Sequence, residues 1–513
     1  MNNQIKSPRY EVEAGINGCL LIRDTHNSDL TSLTKHALVF LEQHSVHQNL
    51  KRTLIVSDIE GNDVVCEMFY ANIRQAIKNE LVNRVVFIGN ELYSHSKLFD
   101  IQDKVFFKTT RDFLASDELS TFHNEAILLK ITPKFHPQRI LSHLQLLAHD
   151  TVLEINFDAM FHNIDYFRSK LNTDTKLMCM VKASAYGSGS LEVALAMQYY
   201  GVNYLGVAFV HEGVELRQSG IQLPIMVLDP MESSLHHLFR YHLEPEICSF
   251  HFLNLIIKEA ERHNLLDYPI HIKFDTGMHR AGFEAEDIPQ IIATLNSQKA
   301  VRVVSAFSHL AAADEQTPEM DAFTRKQIIV FKQYVDELQK GLGYPFLKHI
   351  LNTAGIERFS EHQFDMVRLG IGLWGVNCVN EHKLRNVCSL TTRIMQLKTV
   401  KAGETVGYSR RGKITRESEI ALLPLGYADG IDRRLSNGVG SVFYNGMRVP
   451  IVGNICMDLL MIDVTGLNVE VGDEVVIFND DYRFSDMATL LDTIPYEVLT
   501  SISPRVRRVY FRE

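Results

Sequence analysis

Leu177-Met178-Cys179-Met180-Val181-Lys182-Ala183-Ser184-Ala185-Tyr186-Gly187-Ser188-Gly189 is an apolar run that ends abruptly in a lysine, a phenol and two glycines. The run is short and turn-forming residues follow it, so it reads as a buried strand delivering Lys182 at its carboxyl end. A lysine placed there loses hydration, which disfavours its ammonium form. The neutral amine that results can form a Schiff base with an aldehyde. The glycines let the backbone come close to a bound group, and Tyr186 offers a hydroxyl to a phosphate.

Outward from this stretch the pattern repeats. Apolar runs at 177–182, 204–209, 224–228, 243–248, 270–275, 303–309, 346–351 and 364–369 alternate with helical periodicity. Strand and helix repeated eight times in this way are the mark of a (β/α)8 barrel, where functional side chains sit at the carboxyl ends of the strands. By that rule Lys182, Asp275, His309, Asn352 and Arg368 converge at one mouth.

On the N-terminal side, strands are expected at Cys19–Ile22, Thr53–Ser57, Arg84–Ile88 and Ala126–Lys130, with helices at Leu33–Leu41, Val64–Ile77 and Pro137–Ala148. Such alternation implies a small parallel α/β domain over residues 1–150. It has no G-x-G-x-x-G after a strand, so a dinucleotide site is not supported. Residues 151–382 form the barrel segment. From 383 to 513 the period becomes two, with Gly-rich turns, which implies a mostly antiparallel β domain. Gly407, Gly412 and Lys413 have the spacing of a phosphate loop, but Ile414 stands where Ser or Thr is needed and no strand–loop–helix surrounds them.

The 513 residues exceed one ordinary core, and 46% hydrophobic with 22% charged residues is a globular composition. A formal net charge of −10 gives no electrostatic case for nucleic acid or anionic membrane. The segment Met1–Lys6 lacks a signal peptide's apolar core, and no apolar run reaches membrane-spanning length. The 7 cysteines form no C-x-x-C pair. Free thiols in a cytoplasmic protein without zinc are expected.

Taken in order, Val181-Lys182-Ala183-x-Ala185-Tyr186-Gly187, Lys273 to Arg280, Ser308-His309-Leu310, His349-x-x-Asn352-Thr353, Arg368-Leu369-Gly370-Ile371, Gly407-Tyr408, Gly426-Tyr427-Ala428-Asp429-Gly430 and Cys456-Met457-Asp458 resemble the motifs of alanine racemases, fold type III enzymes that use pyridoxal phosphate. The resemblance spans residues 151–513. It implies that Lys182 anchors the cofactor and serves as one base, while Tyr408 from the second subunit of a head-to-tail homodimer serves as the other. It implies Tyr186, Thr353, Gly370 and Ile371 at the phosphate, Arg368 at the pyridine nitrogen, and His309 paired with Tyr408. Arg280 and the backbone of the partner's Met457 would bind the substrate carboxylate. His349 and Asn352 would surround Arg368 and the cofactor, Lys273 matches a lysine that many members carry as a carbamate, and Tyr427 and Asp458 are supporting positions. An arginine at the ring nitrogen suits proton exchange better than transamination. Thr353 replaces a common serine, Trp374 a common tyrosine, and Pro504 a tyrosine found in some members.

Asp24-Thr25-His26-Asn27-Ser28-Asp29, Ser57-Asp58-Ile59 and Lys130-Ile131-Thr132 resemble the C-terminal domain of the Mur ligase that adds D-alanyl-D-alanine, without that family's ATP-binding domain. The two resemblances together imply supply of D-alanine for peptidoglycan, with a cell-wall ligase as a partner. The competing readings are a broader-specificity racemase, a decarboxylase of the same fold, and a non-catalytic scaffold. Decarboxylases of this fold generally carry a carboxylate where Arg368 stands.

Overall fold

The computed structural model describes residues 10–24, 37–38, 41–42, 45, 50–59, 63–145 and 151–512. The helix expected at Leu33–Leu41 lies mostly outside them, and the motif residues Thr25–Asp29 lie wholly outside. The chain forms two compact units, neither continuous in sequence. One holds Ala159–Val387 and Asn479–Ser503. The other holds Met1–Asp158, Cys388–Phe478 and Pro504–Glu513.

The first unit is the barrel. Its parallel strands are Lys176–Met180 (β1), Tyr204–Val207 (β2), Ile225–Val227 (β3), Glu244–Ile247 (β4), Tyr268–Lys273 (β5), Val301–Phe307 (β6), Leu347–His349 (β7) and Met366–Leu369 (β8). The hydrogen-bonded order runs from β7 down to β1 and then to β8. Asp365 N to Lys348 O at 3.1 Å and Arg368 N to Leu351 O at 3.0 Å join β8 to β7 and nearly close the ring. All eight apolar runs are strands. They are apolar because both faces are covered, the helices lying outside and interior side chains within. The segment Asn479–Ser503 adds the helices Phe484–Leu490 and Pro495–Thr500 to this unit.

The second unit is built on one twelve-stranded sheet. Its antiparallel part carries Met447–Pro450, Ser441–Tyr444, Glu474–Phe478, Cys388–Arg393 and Val152–Asn156. Arg507–Arg512 pairs parallel with Val152–Asn156 on one side and antiparallel with Tyr10–Ala14 on the other. Tyr10–Ala14 also pairs with Leu20–Asp24, so the ladder continues into the parallel strands Glu125–Lys130, Lys51–Ser57, Arg84–Ile88 and Asp103–Phe107. A separate three-stranded sheet contains Gln396–Val400, Ser418–Leu423 and Leu460–Asp463. Gly412–Lys413 pairs with Thr405–Val406 as a hairpin, the geometry of a turn.

At the junction strand the Glu13 carboxylate is fully buried and meets Arg23 at 3.3 Å, Arg507 at 3.1 Å and the Gln145 amide at 2.7 Å. A carboxylate tolerates burial only when its charge is matched in this way. In the parallel part, Leu21, Ile55, Val86, Ile88, Phe113 and Ile127 share one core. The polar ends of its strands satisfy one another. Thr132 N donates to Ser57 Oγ at 2.8 Å, Thr132 Oγ1 donates to Asp58 O at 3.0 Å, and the Asp58 carboxylate accepts from the Glu91 and Leu92 amides at 3.0 and 2.9 Å. Asp58 thus caps the helix Asn90–Ser94.

Candidate active site

Directly after β1 the backbone does something L-residues avoid. Ala183, Ser184, Ala185 and Tyr186 have φ of 53°, 53°, 49° and 57°, a full left-handed turn. Such a turn costs roughly 1–2 kcal/mol per residue. Ala185 N to Val181 O at 3.0 Å, Gly187 N to Ala183 O at 2.9 Å, and Ala183 N to Glu212 Oε1 at 2.6 Å hold it. Gly187 continues it at φ 84°, and a Cβ there would meet Leu499 O at 2.6 Å. The turn leaves Lys182 at the barrel mouth and folds Tyr186 back beside it. The Tyr186 ring packs 4.3 Å from that of Trp374, whose Nε1 donates to Ser188 Oγ at 2.9 Å. Burial keeps the Tyr186 hydroxyl protonated, hence a donor.

A cavity of about 340 Å³ opens here, lined by Lys182, Tyr186, Asp229, Lys273, Arg280, His309, Asn352, Thr353, Arg368, Gly370 and Tyr496 with apolar neighbours. Burial is the main cause that lowers the Lys182 pKa, and the Arg280 charge adds to it. His309 is held well below its usual value by burial and then by Arg368, so it is a neutral imidazole. Arg368 is pushed down by burial to about 10 and stays a cation at neutral pH.

The Arg368 guanidinium organises the barrel's polar interior. It donates to His349 Nδ1 at 2.7 Å, Ser308 O at 2.7 Å, Ile350 O at 3.1 Å and His309 Nδ1 at 3.3 Å. Because arginine only donates, both imidazole Nδ1 atoms must accept. His349 Nε2–H therefore donates to Ser305 Oγ at 2.9 Å, Ser305 to His271 Nδ1 at 2.6 Å, and His271 Nε2–H to Glu244 at 2.9 Å. One permanent cation thus sets every tautomer in a relay across four strands.

The chain's comparisons agree with this geometry. Family models described as the alanine racemase N-terminal and C-terminal domains match residues 155–378 and 387–510. Alanine racemase 1 of Clostridium acetobutylicum is 39% identical over 371 residues, covering 70% of this chain and 95% of that protein. The alanine racemase of Halothermothrix orenii is 37% identical, covering 71% and 97%. This chain belongs to the alanine racemase family. Among solved structures, the Clostridium difficile 630 alanine racemase has a TM-score of 0.67 at 33% identity, covering 71% of this chain and 96% of that one. The Bartonella henselae alanine racemase, solved with covalently bound pyridoxal phosphate, has a TM-score of 0.64 at 28% identity, covering 70% and 99%. Neither family model reaches residues 1–154.

An alanine racemase is an isomerase that depends on pyridoxal phosphate, and the cavity fits that cofactor. Lys182 supplies a deprotonatable amine. A Cβ on Gly370 would meet Tyr186 Oη at 2.8 Å and Thr353 Oγ1 at 3.8 Å, so the bare backbone keeps open a cradle lined by hydroxyls. Gly370 N and Gly372 N donate to Thr353 Oγ1 at 3.0 and 3.4 Å, fixing that hydroxyl. Asn352 Oδ1 accepts from Gly355 N at 2.9 Å and caps the helix Thr353–Arg358.

One strand-end expectation changes. Asp275 does not join the cavity lining: its carboxylate accepts from the amides of Gly277, Met278, His279 and Arg280 and shapes their loop. Gly370 lines the cavity, and the side chain of Ile371 is buried. His309 lines the cavity as a neutral imidazole that accepts from Arg368. Tyr408, Met457, Tyr427 and Asp458 belong to the second unit. Tyr408 and Met457 are exposed, 69% and 53%. Gly407 at φ 77° sets the turn before Tyr408, and Asn454 Nδ2 donates to Tyr408 O at 3.2 Å. The Tyr427 and Ala428 amides bond the carbonyls of Cys456 and Met457, while Arg505 grips Asp429 and Asp458 at 2.6 and 2.7 Å.

Asp229, Glu246 and Tyr496 escaped the sequence reading. Asp229 follows the run 224–228, so the strand-end rule pointed to it. Glu246 stood out only as a charge inside an apolar run. Tyr496 has no local signal, because it arrives on a helix from the far side of the β segment.

Proposed function

We propose that this alanine racemase interconverts L- and D-alanine through two proton carriers, Lys182 and Tyr408, the latter from the second subunit of a homodimer. The observation that carries the reading is the depressed Lys182 amine in the same cavity as the Arg368 cation. Pyridoxal phosphate bound to Lys182 supplies the electron sink that acidifies the substrate's α-hydrogen. Lys182 Nζ takes or returns that proton on one face, and Tyr408 Oη does so on the other. Arg280, with the partner subunit's Met457 backbone amide, orients the substrate carboxylate. Tyr186, Thr353 and the Ile371 amide hold the phosphate, with Gly370 leaving the cradle open. Arg368 opposes the ring nitrogen with a group that donates a hydrogen bond and keeps its proton, which favours return of the α-proton. Tyr427 and Asp458 support the Met457 turn.

Three functional segments follow: residues 1–150 as an accessory module, 151–382 as the cofactor-binding barrel, and 383–513 as the β domain bringing Tyr408. The product supplies peptidoglycan synthesis in the cytoplasm, and the Mur-like N-terminal segment serves to recruit a cell-wall ligase. No described helix is long and apolar enough to cross a membrane. The direct test mixes the holoenzyme with L-alanine in D2O. Deuterium at Cα and accumulating D-alanine are expected. Tyr408→Phe keeps the cofactor but slows removal of the proton from L-alanine by about 10²–10⁴-fold. Normal racemisation by that variant would refute the two-carrier assignment.

A further inference from the structure

Asn454 is a buried polar side chain in the second unit that the proposed chemistry does not use. It stands three residues before Met457, and its backbone packs against the turn that carries Tyr408. A Cβ on Gly407 would meet Asn454 N at 3.5 Å and Asn454 O at 3.6 Å, and one on Gly453 would meet Val406 O at 2.7 Å. Two glycines with φ of 77° and 73° therefore let the two turns lie backbone to backbone.

The Tyr408 turn needs such support. Ser409 and Arg410 follow with φ of 57° and 54°, the left-handed region that L-residues avoid. Successive residues of that kind persist only where surrounding contacts hold them. The Tyr408 side chain is mostly exposed, so the hold comes through the backbone and its neighbours. Arg410 N donates to Gly407 O at 3.3 Å and Arg410 Nε to Thr405 Oγ1 at 3.2 Å, both within the same hairpin. Asn454 Nδ2 reaches in from the other turn and donates to Tyr408 O at 3.2 Å.

A carbonyl oxygen only accepts, so the amide nitrogen must face Tyr408 and the amide oxygen must face away. That oxygen accepts from Asn437 Nδ2 at 2.8 Å, and Asn437 N donates to Gly453 O at 3.0 Å. Ile455 N donates to Ser436 Oγ at 3.0 Å. The Asn454 amide is thus fixed at both ends. We propose that Asn454 is the positioning residue for Tyr408: it locks the proton carrier's turn to the turn that presents the Met457 amide, so that both act as one rigid edge. This rests on the reading of Tyr408 as a proton carrier from the second subunit. A carrier must lie within hydrogen-bond reach of the proton it takes, and a misplacement of about 1 Å costs about 10²-fold.

Asn454→Asp keeps the size and the acceptor toward Asn437 but sets an oxygen against the Tyr408 carbonyl. In the holoenzyme it should lower kcat/KM for alanine about 10–100-fold, with the cofactor's visible absorbance retained. Isotope effects tell positioning from general damage. Slower transfer at Tyr408 should raise the effect of α-deuteration on L-alanine and lower it on D-alanine, because Tyr408 takes only the first of these protons. In a Tyr408→Phe background, Asn454→Asp should add nothing further. Unchanged kcat/KM would overturn the proposal. So would a fall that leaves both isotope effects as in wild type and multiplies with Tyr408→Phe. Asn437→Ala, which frees the far end of the amide, should shift the isotope effects in the same sense by less. If Asn454→Asp fails to fold, that variant carries the test, and no shift in it would overturn the proposal. The underlying reading is tested apart: a Tyr408→Phe enzyme that racemises normally refutes the proton carrier. A slow Tyr408→Phe beside a normal Asn454→Asp refutes the positioning role alone.

Discussion

The barrel mouth and the N-terminal parallel sheet are built alike and end differently. Both set polar residues at the carboxyl ends of buried parallel strands. In the N-terminal sheet those residues are used up on each other: Asp58 caps a helix, and Ser57 and Thr132 bond across the strand ends. In the barrel they remain partly unspent. Lys182 is a depressed amine, Arg280 has open donors, and Glu246 keeps a bare oxygen. Parallel strand ends offer a place for chemistry, and polarity left unsatisfied by the fold makes it a site.

The largest test of this contrast is Lys182→Ala, which should remove both the cofactor's visible absorbance and racemisation, leaving background rates. Retention of either would show that the barrel end works without its amine. The next effect is on pH. Cofactor capture by the apoprotein needs neutral Lys182, and burial lowers its pKa. Capture followed by absorbance should therefore reach its maximum at a lower pH than an unburied lysine allows. It should slow by about tenfold per unit once pH falls below the depressed value. An ordinary lysine profile, still rising above pH 10, would contradict the assignment.

Glu13→Gln should then lower the stability of the second unit by about 2–3 kcal/mol, because it removes the buried anion that the partly buried Arg23 and Arg507 both face. The expected readout is an earlier urea transition. No shift would mean that solvent reaches this junction. The smallest effect is Asp58→Ala, about 1 kcal/mol for a lost cap, with kcat and KM for alanine unchanged. A specific loss of racemisation there would collapse the distinction between the two strand-end clusters.

Much of the barrel was legible because its signals are local. Each strand announces itself as a short apolar run, and Lys182, His309, Asn352 and Arg368 were found by the strand-end rule alone. Asp275 obeyed the same rule and still missed the cavity, since four backbone amides of its own loop captured its carboxylate. The strand Tyr10–Ala14 carried no recognisable pattern, and neither did Asp103–Phe107, a partly exposed strand at the end of the sheet order.

The amino-acid sequence by itself determined the eightfold strand–helix alternation, the family, and the buried strand-end lysine, because periodicity and motif order are properties of neighbouring residues. Only the tertiary structure decided which polar groups are spent and which are left over. It decided that Glu246 answers Lys273 and that Arg368 orients a relay ending at Glu244. It also decided that Tyr10–Ala14 pairs with Arg507–Arg512, strands from opposite ends of the chain. Hydrogen-bond satisfaction and burial depend on partners distant in sequence, and those partners are known only once the chain has closed on itself.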